Sequence, residues 1–232
     1  MASELVLTEK KDGVGIITLN RPEKLNAMNH ALTAAMHEAL TAFETDEDVK
    51  VLIMTGAGEK AFCAGGDIHE EAEMTKGANV TQEDFKKWHG DIDNQLHIAT
   101  YPKPTICALN GLAYGGGAYL AAAFDIRIGC ERSTFRFVAV KVGLVAGTWT
   151  LPNIVGYPMA KELLFSGRVV PADEGYRIHL LNHLVTPQEV MPYSLALAKE
   201  IAGNYQSSVR GLKNILNNNI GKEMLEARTN EK

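Results

Sequence analysis

The sequence predicts an α/β fold with a largely parallel sheet, because short apolar runs of strand length alternate with helical patterns. Three runs indicate buried strands, and each ends near a glycine or a charged residue: Val49–Gly56, Pro104–Gly111 and Asp125–Glu131. An amphipathic helix is predicted over Asn29–Thr45, where apolar residues recur every three or four positions. Beyond Gly156 the pattern is mainly helical.

The predicted strands lie in the first part of the chain, and the last part is predicted to be helical. The first residues predict a β-hairpin of Glu4–Thr8 and Val14–Leu19, with an Asp-Gly turn before the second strand. Helices are predicted for five further segments: Thr81–Ala99, Met159–Ser166, Pro171–Gly175, Gln188–Gly203 and Ser207–Ile220. We therefore expect a core over residues 1–156 and a helical C-terminal region over residues 157–232.

The composition argues against several classes of protein. The 232 residues include 46% hydrophobic side chains, enough for a sizeable core, and carry a formal net charge of −5. We expect no nucleic-acid partner and no membrane partner, because both kinds of surface favour basic patches. The three cysteines are far apart without a CxxC pair, which argues against a zinc site or a disulfide framework. We expect a cytoplasmic protein with reduced thiols.

Two segments share the order of buried strand, glycine-containing turn and start of a helix: Val51–Glu70 and Thr105–Ala123. Glycine in such a turn lets another molecule approach the backbone, and the start of a helix leaves N–H groups unpaired. Two such N–H groups converging on one oxygen would form an oxyanion hole. Tight packing turns are the alternative interpretation. Dinucleotide, P-loop and nucleophile-elbow motifs are absent from the sequence.

The motifs in these segments resemble those of the crotonase family, the enoyl-CoA hydratase/isomerase superfamily. Its two signature loops are similar to "KAFCAGGDI" (Lys60–Ile68) and "NGLAYGGGAYLAAAFDIRIG" (Asn110–Gly129). Its early loop resembles "RPEKLNAMN" (Arg21–Asn29), and its third active-site segment resembles Phe137–Gly156 in outline. The helices that follow in the family are similar to Ala160–Val185. These five motifs stand in the family's order and cover nearly the whole chain.

The resemblance implies a spiral of ββα units with a helical C-terminal region, assembled as a homotrimer or a dimer of trimers. It implies an acyl-CoA thioester as ligand, with coenzyme A entering as part of the substrate and no separate cofactor. Matched by motif, the backbone N–H groups that hold the thioester carbonyl belong to Gly66 and Gly116. The backbone around Lys24, Leu25 and Ala64 would hold the CoA nucleotide. Further candidate substrate contacts are Asp67, Ala139 and Trp149.

The chain departs from the family's hydratases at both positions where the resemblance places a catalytic glutamate. The first, two residues after the glycine triplet, is Tyr119, and the second falls at Ala139 in an ungapped match. No Asp or Glu occurs between Phe135 and Ile154. Tyrosine has an ordinary pKa of about 10, so it is a poor base at neutral pH but a usable proton donor. Tyr119 is therefore a candidate catalytic residue, or it simply fills the acyl pocket.

We interpret the chain as an acyl-CoA enzyme of this family that stabilises a thioester enolate between two N–H groups. The reaction itself stays open, because the missing glutamates argue against hydration. Isomerisation, decarboxylation and thioester hydrolysis need fewer acidic side chains. Acid–base groups could also come from Asp67, His69, Glu70 or Glu71. A non-catalytic acyl-CoA-binding subunit is the alternative from another class.

Overall fold

A computed structural model describes residues 4–68, 70 and 92–220. Within these residues the chain forms two β-sheets and a set of helices, which confirms the predicted α/β class. The helix predicted over Thr81–Ala99 lies mainly outside the described residues, and its final part, Asn94–Ala99, is helical. The strands of the described residues, in chain order, are β1 (Val6–Lys11), β2 (Val14–Leu19), β3 (Val51–Gly56), β4 (Ala61–Cys63), β5 (Thr105–Leu109), β6 (Leu112–Tyr114), β7 (Ile126–Gly129), β8 (Phe135–Arg136), β9 (Val169–Val170) and β10 (His183–Leu184).

The larger sheet has the strand order β1-β2-β3-β5-β7-β10. Only β1 and β2 pair antiparallel, and all later neighbours in this sheet are parallel, as the apolar runs predicted. The hairpin turn lies at Asp12 and Gly13, both with positive φ. β1 continues to Lys11, beyond the predicted end at Thr8, because an antiparallel partner lies opposite each of its residues.

The smaller sheet has the strand order β4-β6-β8-β9. Three successive strand pairs, β3 with β4, β5 with β6 and β7 with β8, each place one strand in each sheet. This alternation is the spiral of ββα units that the resemblance implied. The sequence pattern did not predict the smaller sheet, because strands of two or three residues are too short to show a hydrophobic period.

Helices of the described residues cover one face of the larger sheet and the space between the sheets. Their bounds are α1 (His30–Thr45), α2 (Asn94–Ala99), α3 (Gly116–Ala122), α4 (Leu151–Val155), α5 (Tyr157–Ser166), α6 (Ala172–Arg177), α7 (Val190–Ala202) and α8 (Gln206–Asn218). α1 begins where the Asn29 side chain accepts a hydrogen bond from the Leu32 N–H at 2.9 Å. Within the described residues, no helix combines the length and apolar character that a membrane span requires.

Alternate residues of the central strands pack on opposite faces of the larger sheet. Val51 and Ile53 of β3 lie in a core cluster with residues of α7. Leu52 and Met54 lie in the other cluster, with residues of α1 and of the smaller sheet. Both faces are therefore buried, which accounts for the continuous apolar runs in the sequence.

The two glycine loops meet because β4 and β6 are parallel neighbours, so both loops leave the smaller sheet at the same edge. Gly115 has φ 49° and ψ −124°, a backbone conformation that side chains rarely adopt. A Cβ on Gly117 would overlap the backbone carbonyl of Cys63, at the end of β4. Two residues of the glycine triplet are thus required by the turn and by close packing.

We expect Gly117→Ala to lower the free energy of unfolding by about 2 kcal/mol or more, because the added methyl meets an immobile carbonyl. The matched control is Gly211→Ala in α8, where an added Cβ meets open space. That change should be neutral or stabilise by up to about 1 kcal/mol, since alanine is the better helix former. Urea unfolding of both variants measures the difference, and equal stabilities would contradict the packing account.

Candidate active site

The Gly66 and Gly116 N–H groups each share a peptide unit with a carbonyl that accepts a hydrogen bond. That hydrogen bond fixes the direction of the N–H. The Gly65 carbonyl accepts from the Met28 N–H at 2.7 Å, and the carbonyl before Gly116 accepts from the Ala118 N–H at 3.0 Å. In a trans peptide the C=O and N–H bonds point in opposite directions. The Gly66 N–H therefore points away from the Met28 N–H, and the Gly116 N–H points away from the Ala118 N–H.

The Gly66 and Gly116 amides lie close together in a small space at the end of the two loops. A Cβ placed on Gly116 would lie 3.7 Å from the Gly66 nitrogen and 2.7 Å from the Met28 Cε. Neither N–H donates to an acceptor among the residues that the structure describes. Two neighbouring backbone donors of this kind can hydrogen-bond to a single oxygen atom.

The early loop, Arg21–Asn29, holds the first glycine loop from the other side. The Ala64 N–H donates to the Leu25 carbonyl at 3.0 Å, and Met28 forms a parallel β-bridge with Gly66. The loop contains two consecutive non-glycine residues with positive φ, which is an uncommon backbone conformation. From the sequence, this loop was predicted only to contact the CoA nucleotide.

Asp67, a predicted substrate contact, forms an ion pair with Arg21. Its Oδ2 lies 3.0 Å from the Arg21 Nη2, and the two side chains are 10% and 12% exposed. Arg21 also donates from Nη1 to the Ala27 carbonyl at 2.6 Å. No role was predicted for Arg21 from the sequence. The available signal was the pair of opposite charges in two motifs that meet in space.

Tyr119 lies one turn along α3 from Gly116, with its ring buried at 6% exposure. The Ala139 N–H donates to the tyrosine hydroxyl at 3.2 Å, and the Phe137 ring lies 5.5 Å away, centroid to centroid. A Cβ on Gly147 would lie 2.7 Å from the Tyr119 ring. Burial raises the pKa of Tyr119 above its ordinary value, and the Ala139 hydrogen bond opposes that rise.

The two positions matched to the family's glutamates are in direct contact in this chain. Ala139 is buried at the start of a short 3-10 helix, Ala139–Val142, and Tyr119 fills the space beside its backbone. Glu70, two residues after the first loop, accepts from the His30 N–H at 2.9 Å. His69 and Glu71 lie outside the described residues. No described carboxylate thus occupies either glutamate position.

The residues predicted to hold the CoA nucleotide surround the start of the early loop. Lys24 is exposed and Leu25 is half-buried, with the Leu25 carbonyl bonded to Ala64. A cavity of about 340 Å³ lies beside this loop. Its lining residues are Pro22, Leu25, Asn26, Ala57, Gly58, Glu59, Lys60 and Ala61. In the described ranges, no group of three His, Cys, Asp or Glu side chains could hold a metal ion.

Trp149, the predicted acyl contact, is 45% exposed and lies just before α4. Its backbone carbonyl accepts from the Asn153 side chain at 2.9 Å. Gly147, two residues earlier in the chain, lies against the Tyr119 ring. The third segment therefore approaches the site through its backbone at Gly147 and Ala139.

Comparison with known proteins places these features in a family. Residues 9–232 match the family model of enoyl-CoA hydratase/isomerase. A short-chain-enoyl-CoA hydratase from Clostridium acetobutylicum is 37% identical over 217 residues, covering 91% of this chain and 80% of that protein. A crotonyl-CoA hydratase from Syntrophomonas wolfei is 36% identical over 215 residues, covering 90% of this chain and 80% of that protein.

The fold is similar to that of solved structures over almost its whole length. An enoyl-CoA hydratase from Bacillus anthracis has a TM-score of 0.90 and 29% sequence identity, covering 98% of this chain and 88% of that one. The residues that match the family model include both glycine loops. The chain therefore belongs to the enoyl-CoA hydratase/isomerase family and is an acyl-CoA enzyme of that type.

Proposed function

We propose that this chain stabilises the enolate of an acyl-CoA thioester with the N–H groups of Gly66 and Gly116. The observation that carries the proposal is the pair of neighbouring backbone donors without a partner among the described residues. Loss of a proton or of CO₂ at the α-carbon, or addition at the β-carbon, moves negative charge onto the thioester oxygen. Two preorganised donors stabilise that charge, and removing one typically costs about 3 kcal/mol.

We assign the CoA nucleotide to the exposed side of the early loop. Lys24 offers an exposed cation for a phosphate, and the Leu25–Ala64 hydrogen bond joins that loop to the first glycine loop. The pantetheine arm would then lead from the nucleotide to the two amides. We also propose three further contacts with the ligand: Trp149, Asp67 and Ala139.

Hydration is one candidate reaction, because the relatives from C. acetobutylicum and S. wolfei are named hydratases. Water would add its hydroxyl to the β-carbon and a proton to the α-carbon of an enoyl-CoA. That reaction needs a base for the water and an acid for the α-carbon. Tyr119 and Ala139 supply no carboxylate for this purpose, so a different group would have to activate the water.

Decarboxylation of a malonyl-type thioester is the second candidate, and the hydrogen bonding of Tyr119 favours it. The C–C bond to the carboxylate breaks, CO₂ leaves, and its bonding electrons form the enolate without a base. The Tyr119 oxygen accepts the Ala139 N–H, which leaves the hydroxyl proton without an acceptor among the described residues. We propose that this proton passes to the α-carbon and that water then reprotonates the phenolate.

We also propose that the chain assembles with copies of itself through the outer face of α8. That helix docks on its own core through polar groups, since the Lys213 ammonium lies 2.7 Å from Asp125 Oδ2 and 2.9 Å from the Lys103 carbonyl. Its apolar stripe remains exposed: Leu212 is 61% and Leu216 is 66% exposed, and Ile220, two residues beyond the helix, is 55% exposed. The family resemblance gives a trimer or a dimer of trimers as the assembly.

The oxyanion proposal predicts that Gly116→Pro and Gly116→Ala differ in activity. Both substitutions add a Cβ against the flexible tip of Met28, but only proline removes the N–H. We expect Gly116→Pro to lower kcat/KM by about 100-fold or more and Gly116→Ala to lower it much less. Equal losses in the two variants would show that the added atom, and not the missing donor, is responsible.

The role of Tyr119 predicts a choice between substrates. We expect the wild-type protein to decarboxylate a malonyl-type CoA thioester, as measured by the release of CO₂. We expect Tyr119→Phe to lower kcat of this reaction by about 100-fold. Since burial raises the pKa of Tyr119, the wild-type rate should show no loss through neutral pH up to pH of about 9. Loss of conjugated absorbance from crotonyl-CoA, unaffected by Tyr119→Phe, would instead support hydration with the tyrosine as a packing residue.

The assembly proposal predicts that Leu216→Glu disrupts the oligomer, because a carboxylate would be buried in an apolar interface. The control is Asn218→Glu, which changes the charge of the same helix at an exposed polar position. Sedimentation should show a trimer or hexamer for wild type and for the control, and smaller species for Leu216→Glu. A monomeric wild-type protein would contradict the proposal.

A further inference from the structure

The direction of the Gly66 N–H depends on the backbone of Met28. The Met28 N–H donates to the Gly65 carbonyl at 2.7 Å, and the Asp67 N–H donates to the Met28 carbonyl at 2.9 Å. These two hydrogen bonds hold the peptide on each side of Gly66. A shift of Met28 would therefore rotate the Gly65–Gly66 peptide and turn its N–H.

Arg21 ties together the two segments that carry these hydrogen bonds. Its Nη1 donates to the carbonyl of Ala27, the residue before Met28, at 2.6 Å. Its Nη2 donates to Asp67, the residue after Gly66, at 3.0 Å. The planar guanidinium presents these donors in a rigid fork, so it sets the spacing between the two segments.

The early loop needs such ties because its backbone is uncommon and its anchors are buried. Leu25 and Asn26 both have positive φ, at 52° and 54°, which costs free energy for residues with a side chain. The Asn26 side chain is fully buried and donates to the carbonyls of Ala57 and Ala61 at 3.1 and 2.9 Å. Its Oδ1 accepts the Arg21 N–H at 3.0 Å, so Arg21 is itself held in place.

We propose that Arg21 is a positioning residue of the active site, which sets the direction of the Gly66 N–H toward the thioester oxygen. The proposal rests on the proposed function, since it assumes that Gly66 polarises a carbonyl. The Arg21–Asp67 ion pair would then affect the reaction rate as well as the stability of the fold. A displacement of about 1 Å in a group that contacts the substrate can lower the rate of the reaction about 100-fold.

The test measures carbonyl polarisation directly, at saturating ligand, so that affinity does not enter. Acetyl-CoA labelled with ¹³C at the acetyl carbonyl is bound to the full chain, and isotope-edited infrared difference spectra give its C=O stretching frequency. Hydrogen bonds to the carbonyl lower that frequency relative to the free thioester. The proteins compared are wild type, Gly116→Pro, Arg21→Gln and Arg21→Lys.

We expect the wild-type frequency to be lowered and Arg21→Gln to lose about half of that shift, because one of the two donors is misdirected. Arg21→Lys should lie between the two, since an ammonium keeps the charge but cannot bridge both partners. For the acyl-CoA thioester that the wild-type protein converts, turnover should fall about 10- to 100-fold in Arg21→Gln. A purely structural role would leave the bound frequency unchanged in a folded variant.

Two outcomes would overturn the account, and they are distinguishable. A full wild-type shift in Arg21→Gln, together with a reduced shift in Gly116→Pro, would remove the positioning role and leave the proposed function intact. An unshifted carbonyl in wild type, or failure to bind acetyl-CoA, would reject the oxyanion hole itself and with it the assignment of Arg21.

A second variant and a control guard against loss of folding. Asp67→Asn weakens the same pair from its other end and should also reduce the shift, whereas an undiminished shift would contradict the proposal. Arg168→Gln removes an arginine that pairs with Glu162 and Glu174 at 2.7 and 2.6 Å, neither of which belongs to a glycine loop or to the early loop. We expect the wild-type infrared shift and turnover in that control.

Discussion

The hydrogen bond from the Met28 N–H to the Gly65 carbonyl is the constraint on which the site depends. It fixes the carbonyl edge of a planar peptide, so the Gly66 N–H on the opposite edge points away from Met28, and the Gly66 nitrogen lies next to Gly116. The parallel pairing of β4 with β6 supplies the other half of the arrangement, because it brings the two loops to one edge of the smaller sheet. Side chains contribute mainly by holding this backbone in place.

Much of this arrangement could be predicted from the sequence, and the missing parts have physical reasons. The apolar runs predicted the parallel strands of the larger sheet, and the glycine triplet predicted the second loop. The smaller sheet was missed because its strands are too short to show a period, although β4 and β6 place both loops. The Arg21–Asp67 pair was also missed, because a contact between residues 46 positions apart leaves no local pattern.

The chain has the backbone fold of its family, but it lacks glutamate at the two positions where the resemblance implied a catalytic pair. Tyr119 occupies the first position, and its hydroxyl accepts the backbone N–H of the second position, Ala139. The space between the two positions is therefore filled by a phenol that holds its proton at neutral pH. Chemistry that begins with enolate formation and ends with proton donation fits this arrangement better than chemistry that requires a carboxylate base.

The most direct test of the central claim is a crystal structure of the chain with an acyl-CoA thioester bound. The account predicts that the thioester oxygen lies at about 2.7–3.1 Å from both the Gly66 and the Gly116 nitrogens. A thioester oxygen that lies in solvent, or that contacts neither amide while the CoA portion is bound, would contradict it.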